Sequence, residues 1–331
     1  MSLPLDPQII QTQIVPNCGA LVLAMAFSAV FYGITILQTY MYYDKYGGDS
    51  VWIKIFVAVL WLLDTAQMAS VIDTVWFYVI SNYGNPASLA IYASGVVAEI
   101  ITTISIGLVV QSFFAMRVWL TSGDEIEHRR KVLIPTIIVA LSFAQWGFGM
   151  YYAAVVQKTH QTSVLPKLAW AASTGLGCSI AGDFLITLTL CYNLHKSRSG
   201  VKKTDKLINV LIVYTVNTGL LTSMVATCAI ILSNVFATSF WLLLPFCLVS
   251  KSYVNSALAT LNAREKLRKM SASFTVGTRD AAQVEINQFR ITKSTTVVHD
   301  GRDSTSDIHL HNLYATRDTK MPESILATDV V

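Results

Sequence analysis

Charge is what this chain has least of. Only 13% of its 331 residues are Asp, Glu, Lys or Arg, while 53% are hydrophobic. Soluble domains carry about 25% charged residues, so a water-solvated globule is excluded. Cysteine is sparse as well. Cys18, Cys178, Cys191, Cys228 and Cys247 sit in or beside apolar runs, and none forms the close pair that a disulfide framework needs. They read as small packing residues. Histidine is missing from every apolar run, since His128, His160, His195, His299, His309 and His311 all fall in loops or tail. A membrane metallohydrolase needs His or carboxylate ligands at one depth, so no metal site is expected. No P-loop, nucleophile elbow or dinucleotide-binding glycine motif stands in a suitable context, and no cofactor is implied. Enzyme chemistry is therefore the least favoured class. The N-terminus lacks a basic n-region and a small-residue cleavage site, so the first helix is expected to act as the insertion signal.

What the chain has in place of charge is seven long apolar runs. About 20 apolar residues cross a bilayer as a helix. The runs predict helices over 19–43, 51–80, 90–119, 131–156, 168–194, 207–232 and 240–264. They are continuous rather than alternating, which excludes a β-barrel. The expected fold is all-α, a polytopic membrane protein built as a seven-transmembrane-helix bundle. Tyr40, Tyr42 and Tyr43 mark a membrane interface. Asn82, Gly84, Asn85 and Pro86 mark a turn.

Basic residues choose the sides. Lys45, then Arg117 with Arg129, Arg130 and Lys131, then Lys196, Arg198, Lys202, Lys203 and Lys206, then Arg264, Lys266, Arg268 and Lys269 fall on one side. Only Lys158 and Lys167 fall in the loops of the other. The N-terminus is thus expected outside and the C-terminus in the cytoplasm. Residues 1–18 read as an extracellular segment, 19–264 as the membrane domain and 265–331 as a disordered cytoplasmic tail. The tail holds 9 basic and 9 acidic residues and fifteen Ser or Thr between Ser271 and Thr328, with few large apolar ones. It cannot bury enough surface to offset its ordering entropy. Phosphorylation would act there. The basic loops read as topology determinants and lipid-headgroup contacts, and no nucleic acid is expected as a partner.

The few charges inside the runs are the informative ones. Lys251 lies near the middle of the last run. A lysine at that depth costs about 2.5–3.5 kcal/mol on insertion scales and normally has a partner. Asp64 on helix 2 comes out near mid-membrane, Asp183 on helix 5 somewhat deeper and Glu99 on helix 3 somewhat shallower. Asp64 and Asp73 are nine residues apart and point to opposite faces, so only one readily faces the centre. Asp64 shares its face with Trp61 and Gln67 and is the choice. The expected cluster is Lys251 with Asp64 or Asp183, bordered by Asn255 and Asn217, with Glu99 nearby. It either glues helices together or serves a ligand or ion. A lysine on a seventh helix raises a retinal Schiff base, but such a base needs a carboxylate counter-ion, and Cys247 stands one turn away instead.

The sequence carries a resemblance. Gly33–Ile34 with Gln38, Tyr40, Tyr42 and Tyr43 come first, then Trp61 with Asp64–Thr65, then Phe113–Phe114 with Arg117 and Trp119. Asp183, Thr204–Asp205 and the run from Asn217 to Ser223 follow. Lys251, Tyr253, Asn255–Ser256, Asn262 and Arg264 close the set. Together they resemble a family of basidiomycete membrane proteins defined only as domain of unknown function 6534, over about residues 15–265. The resemblance implies seven helices and a fungal membrane, with no known activity, ligand or catalytic residue.

Three functions fit the pattern. The first is a receptor or sensor, with the bilayer, a small-molecule ligand and a cytoplasmic signalling partner or kinase as its partners, in the plasma membrane rather than an internal one. Arg117, at the inner end of helix 3, stands where G-protein-coupled receptors keep a charged motif, though Met116 and Val118 do not match it. The second is a transporter or channel using the same intramembrane charges, with Pro245 and Gly219 as interruptions of helices 7 and 6. The third is a non-catalytic scaffold.

Overall fold

The structure, a computed structural model, describes residues 8, 10–122, 128–196, 202–235 and 239–264. All of them belong to the first of two units, Met1–Arg268. The tail and the most charged parts of the loops after helices 3 and 5, including Lys203, Thr204 and Asp205 side chains, lie outside the described residues or side chains.

Among the described residues, seven helices are long and apolar enough to cross a membrane, which makes the chain a multi-pass membrane protein in a lipid bilayer. They are α1 (Val15–Lys45), α2 (Val51–Val75), α3 (Ser94–Thr121), α4 (His128–Thr159), α5 (Leu165–Lys196) and α6 (Lys202–Val235). The last, α7, is the span Phe240–Arg264. α1 starts inside the stretch expected to lie outside. A π-turn over Ile10–Ile14 leads straight into it. The reason is that Ile10, Ile14 and Val15 continue the apolar run, and Pro16 fits a first helical turn. α2 is shorter than the expected 30-residue helix. It ends at Val75 and continues as a π-helical turn, Trp76–Ser81. Pro245 and Gly219 interrupt nothing. Pro245 falls in the first turns of α7, and Gly219 lies within an unbroken α6.

Hydrogen bonds at both ends fix the direction of the helices. At the end where α1 begins, Asn17 Oδ1 accepts from Ser239 Oγ at 2.9 Å and from the Phe240 amide at 2.8 Å. Tyr78 at the end of α2 donates to the Ile91 carbonyl at 2.6 Å, and the Tyr92 amide donates to the His160 carbonyl at 3.0 Å. The starts of α1, α3, α5 and α7 and the ends of α2 and α4 therefore share one face, called here the N-terminal face. At the opposite face, Tyr46 donates to the Asn262 carbonyl at 3.1 Å, and Arg264 pairs with Asp49 at 2.6 Å. Asn193 of α5 donates to Ser122 after α3 at 3.2 Å.

The bundle turns the soluble pattern inside out. Large apolar side chains face outward, as Val30 at 63% and Leu37 at 57% exposure show on α1. Polar ones are enclosed, among them Asp64, Gln67, Gln111 and Lys251 at 0%. Two helices occupy the centre. Of the most apolar window, 67% is buried in α7 and 56% in α3, against 17% in α4. Chemistry placed on α3 and α7 thus meets every other part of the bundle.

Candidate functional site

Lys251 and Asp64 meet. The Lys251 Nζ lies 2.7 Å from Asp64 Oδ1 and also donates to the Asp64 carbonyl at 3.2 Å. Both side chains are fully enclosed. The ammonium stands 5.1 Å from the centre of the Tyr32 ring of α1, within cation–π range. Tyr32 in turn shares a 2.9 Å hydrogen bond with Thr65. One turn on, Asn255 donates to Thr35 Oγ1 at 3.2 Å and to the Phe31 carbonyl at 3.3 Å. α7 therefore pins itself to α1 and α2 through one ion pair and an amide. The first of the two acids named for Lys251 is its partner.

Asp183 belongs to a different network, on the other side of α7. Tyr253 is two positions on from Lys251, which turns them about 200° apart on a helix. Tyr253 donates to Asp183 Oδ2 at 2.7 Å, and Thr222 of α6 donates to the same oxygen at 2.8 Å. Gln111 of α3 donates to Asp183 Oδ1 at 3.0 Å. Ser142 of α4 donates to Gln111 Oε1 at 2.7 Å, and Ser179 of α5 lies 2.6 Å from the Tyr253 hydroxyl. Five helices thus converge on one carboxylate that has three neutral donors and no cation among the described residues.

Glu99 lies apart from both networks, 2% exposed. It sits beside the Gln67 amide and the Cys247 thiol. Glu99 Oε1 and both Gln67 amide atoms have no partner. Asn217 is not brought in. It is exposed on the outside of α6. Thr222, five residues on, takes the inward place instead. Arg117 is half-buried at the end of α3, close to Arg264, and pairs with none of the described residues. Among the described residues no group of His, Cys, Asp and Glu could hold a metal ion.

The bundle also has an opening away from these charges. It is a cavity of about 80 Å³ in the half nearer the N-terminal face, between α3, α4, α5, α6 and α7. Val96, Ile100, Leu176 and Phe246 give it mostly apolar walls. Two polar oxygens in its lining, Gln145 Oε1 and Thr103 Oγ1, are buried without a partner. Tyr92, 3% exposed, closes it toward the N-terminal face. Burial holds its phenol well above the usual value, so it stays a neutral hydroxyl. Gly107 makes room for Gln145, because a Cβ there would sit 2.7 Å from Gln145 Nε2. Sequence reasoning named none of Gln145, Thr103, Ser142, Thr222 or Tyr253 as site residues. Tyr253 did stand in the motif beside Lys251, and Thr222 in the run from Asn217 to Ser223, and these were the signals to follow.

Residues 179–266 match the model of a family described only as a family of unknown function, DUF6534. That stretch is narrower than the resemblance over 15–265. It holds Asp183, Thr222, Lys251, Tyr253 and Asn255 but not Asp64 or Glu99. No curated protein and no solved structure matches the chain.

Proposed function

We propose that this chain is a receptor or sensor that takes a small, uncharged, largely apolar ligand in the half of its bundle nearer the N-terminal face. The observation that carries the reading is the cavity of about 80 Å³ with two buried oxygens left unpartnered in its wall. An unpaired buried polar atom costs about 1–3 kcal/mol, so a ligand that supplies a donor recovers that cost. Apolar walls with a few placed polar groups are the usual form of a small-molecule site. The ligand class that fits is a compact molecule with one hydroxyl. All five helices around the cavity also contribute to the Asp183 network, α7 through Tyr253. Filling the cavity can therefore bias how they pack further in. In this reading the chain is a fungal plasma-membrane protein with its N-terminus outside, and the cytoplasmic tail receives the signal.

The transporter reading draws less support, because Asp64 and Lys251 are fully enclosed and closed on each other. The test uses the full-length protein in lipid nanodiscs. Its thermal unfolding is followed with short-chain alcohols and with alkanes of the same length. Alcohols are expected to protect more than alkanes, and Gln145→Leu is expected to remove the difference. An alcohol advantage that persists in Gln145→Leu, or no protection of the wild type, overturns the ligand site. Solute flux in proteoliposomes that Asp64→Asn abolishes would move the protein to transport.

A further inference from the structure

Two carboxylates and one ammonium are enclosed together where α2, α3 and α7 meet. Lys251 is committed to Asp64 at 2.7 Å, and Glu99 is left over. An ion held in the interior without a counter-charge is strongly disfavoured even after relaxation. Three further observations fall at the same place. Glu99 Oε1 has no hydrogen-bond partner. Gln67, fully buried beside it, has neither amide atom satisfied. A cavity of about 10 Å³ opens against Glu99, Thr74 and Cys247, with Leu21, Val71 and Leu243 as its apolar walls. That is about the space one water-sized particle needs.

We infer that the Glu99 pocket binds one monovalent cation, taken from solution as a sodium ion or as a proton. The charge count selects a single positive charge. A divalent or transition metal is a poor fit, since no group of three His, Cys, Asp or Glu is assembled among the described residues. The groups facing Glu99 leave the count unchanged. On α2 they are Asp64, already paired, with the neutral Gln67 and Thr74. On α7 they are the Cys247 thiol and Lys251. Tyr92 and, from α4, Tyr152 add hydroxyls. α1 offers only Leu21 and Ala24. Asp73, near the start of α3, is exposed and does not line the pocket. A cation here lies between α2, α3 and α7, next to the ion pair that holds α7 in place. It would set how tightly the central helix is docked. The two cavities share Leu243, and Tyr92 and Tyr152 line the larger one as well as facing Glu99, but the charge count here holds whether or not the larger cavity takes a ligand.

The experiment follows the thermal unfolding of the full-length protein in nanodiscs while sodium chloride replaces choline chloride at constant ionic strength. It is repeated across a range of pH. A melting temperature that climbs with sodium at fixed pH, and stops doing so in Glu99→Gln, identifies sodium. No sodium effect, with stability that rises as pH falls and is flattened by Glu99→Gln, identifies the proton. The sign follows because the folded state then binds the extra proton. A wild type that responds to neither, or a Glu99→Gln variant that keeps the wild-type response, overturns the inference. If Glu99→Gln does not fold, Gln67→Leu leaves both carboxylates in place. It must then shift the half-effective sodium concentration or pH, and an unshifted midpoint overturns the inference equally.

Discussion

Asp64 and Asp183 lie on opposite sides of the same central helix and are held by opposite means. Asp64 faces an ammonium at 2.7 Å and leaves its second oxygen unpartnered. Asp183 faces no cation among the described residues, yet both its oxygens accept hydrogen bonds, at 2.7 to 3.0 Å, from three neutral side chains. The ionic side joins α7 to α1 and α2 only. The neutral side joins it to α3, α5 and α6 and, through Gln111, to α4. A charge pair holds two partners strongly, and a carboxylate ringed by donors gathers many partners weakly. The first suits a fixed joint. The second suits a part of the bundle that can exchange one partner for another and repack.

The largest effect expected is on the ionic side. Removing one partner of a buried pair strands the other charge and costs about 3–5 kcal/mol. Lys251→Met and Asp64→Leu, each alone, should therefore lower folded yield and thermal stability sharply. The double variant should recover most of the loss, because two apolar groups of similar size replace the pair. Stability measured in detergent for all four proteins checks this. Additive losses would mean that the pair is not coupled and that the contrast with Asp183 is false.

The neutral side should respond less. Tyr253→Phe removes one of the three donors to Asp183, at about 1–3 kcal/mol. It should leave the fold intact, because Gln111 and Thr222 still donate. The informative measurement is ligand protection rather than stability alone. A Tyr253→Phe protein that is folded but no longer protected by alcohols would show that the network carries what the cavity senses. Smaller again is Gly107→Ala. Its new methyl would meet Gln145 Nε2 at 2.7 Å, and that atom is the far end of a flexible side chain. Overpacking of this kind costs about 1 kcal/mol once the side chain swings away. Turning Gln145 removes its oxygen from the cavity wall, so alcohol protection should fall by more than stability does.

The difference between the two sides also explains what the residues alone revealed. A lysine in the middle of an apolar run demands an acid, and Asp64 stands at the matching depth with Gln67 on its face. Charge in oil leaves few alternatives, so that contact was legible. The helices were legible for the same reason, since each run is long enough to cross and too apolar to do otherwise. Asp183 was named, but its partners were not. Ser142, Thr222 and Tyr253 are side-chain types that occur on every face of a membrane helix and often bond their own backbone. Only the rotation of each helix tells which of them turn inward. The cavity was invisible for a further reason, because empty space is a property of how five helices meet and of no residue in particular. The register of α6 is where the reading failed, and it placed Asn217 inward.

That failure supplies the smallest prediction. Asn217 and Thr222 are five residues apart, about 140° around the helix. With Thr222 bonded to Asp183 at 2.8 Å, Asn217 must turn outward, and it is exposed. Asn255 is the matched control, because its amide reaches across to Thr35 at 3.2 Å. Interhelical polar contacts average about 0.6 kcal/mol, so Asn255→Leu should lose a fraction of a kcal/mol to about 2 kcal/mol. Asn217→Leu removes an amide from the outer surface, where lipid surrounds it, and should leave stability unchanged within about 0.5 kcal/mol or raise it. Unfolding of the two variants side by side in the same detergent decides the point. A loss in Asn217→Leu equal to that in Asn255→Leu would require a partner for Asn217 outside this chain. The outer face of α6 would then be a contact between copies, and the division into one ionic and one neutral side of α7 would no longer describe all of the polar contacts that hold the bundle.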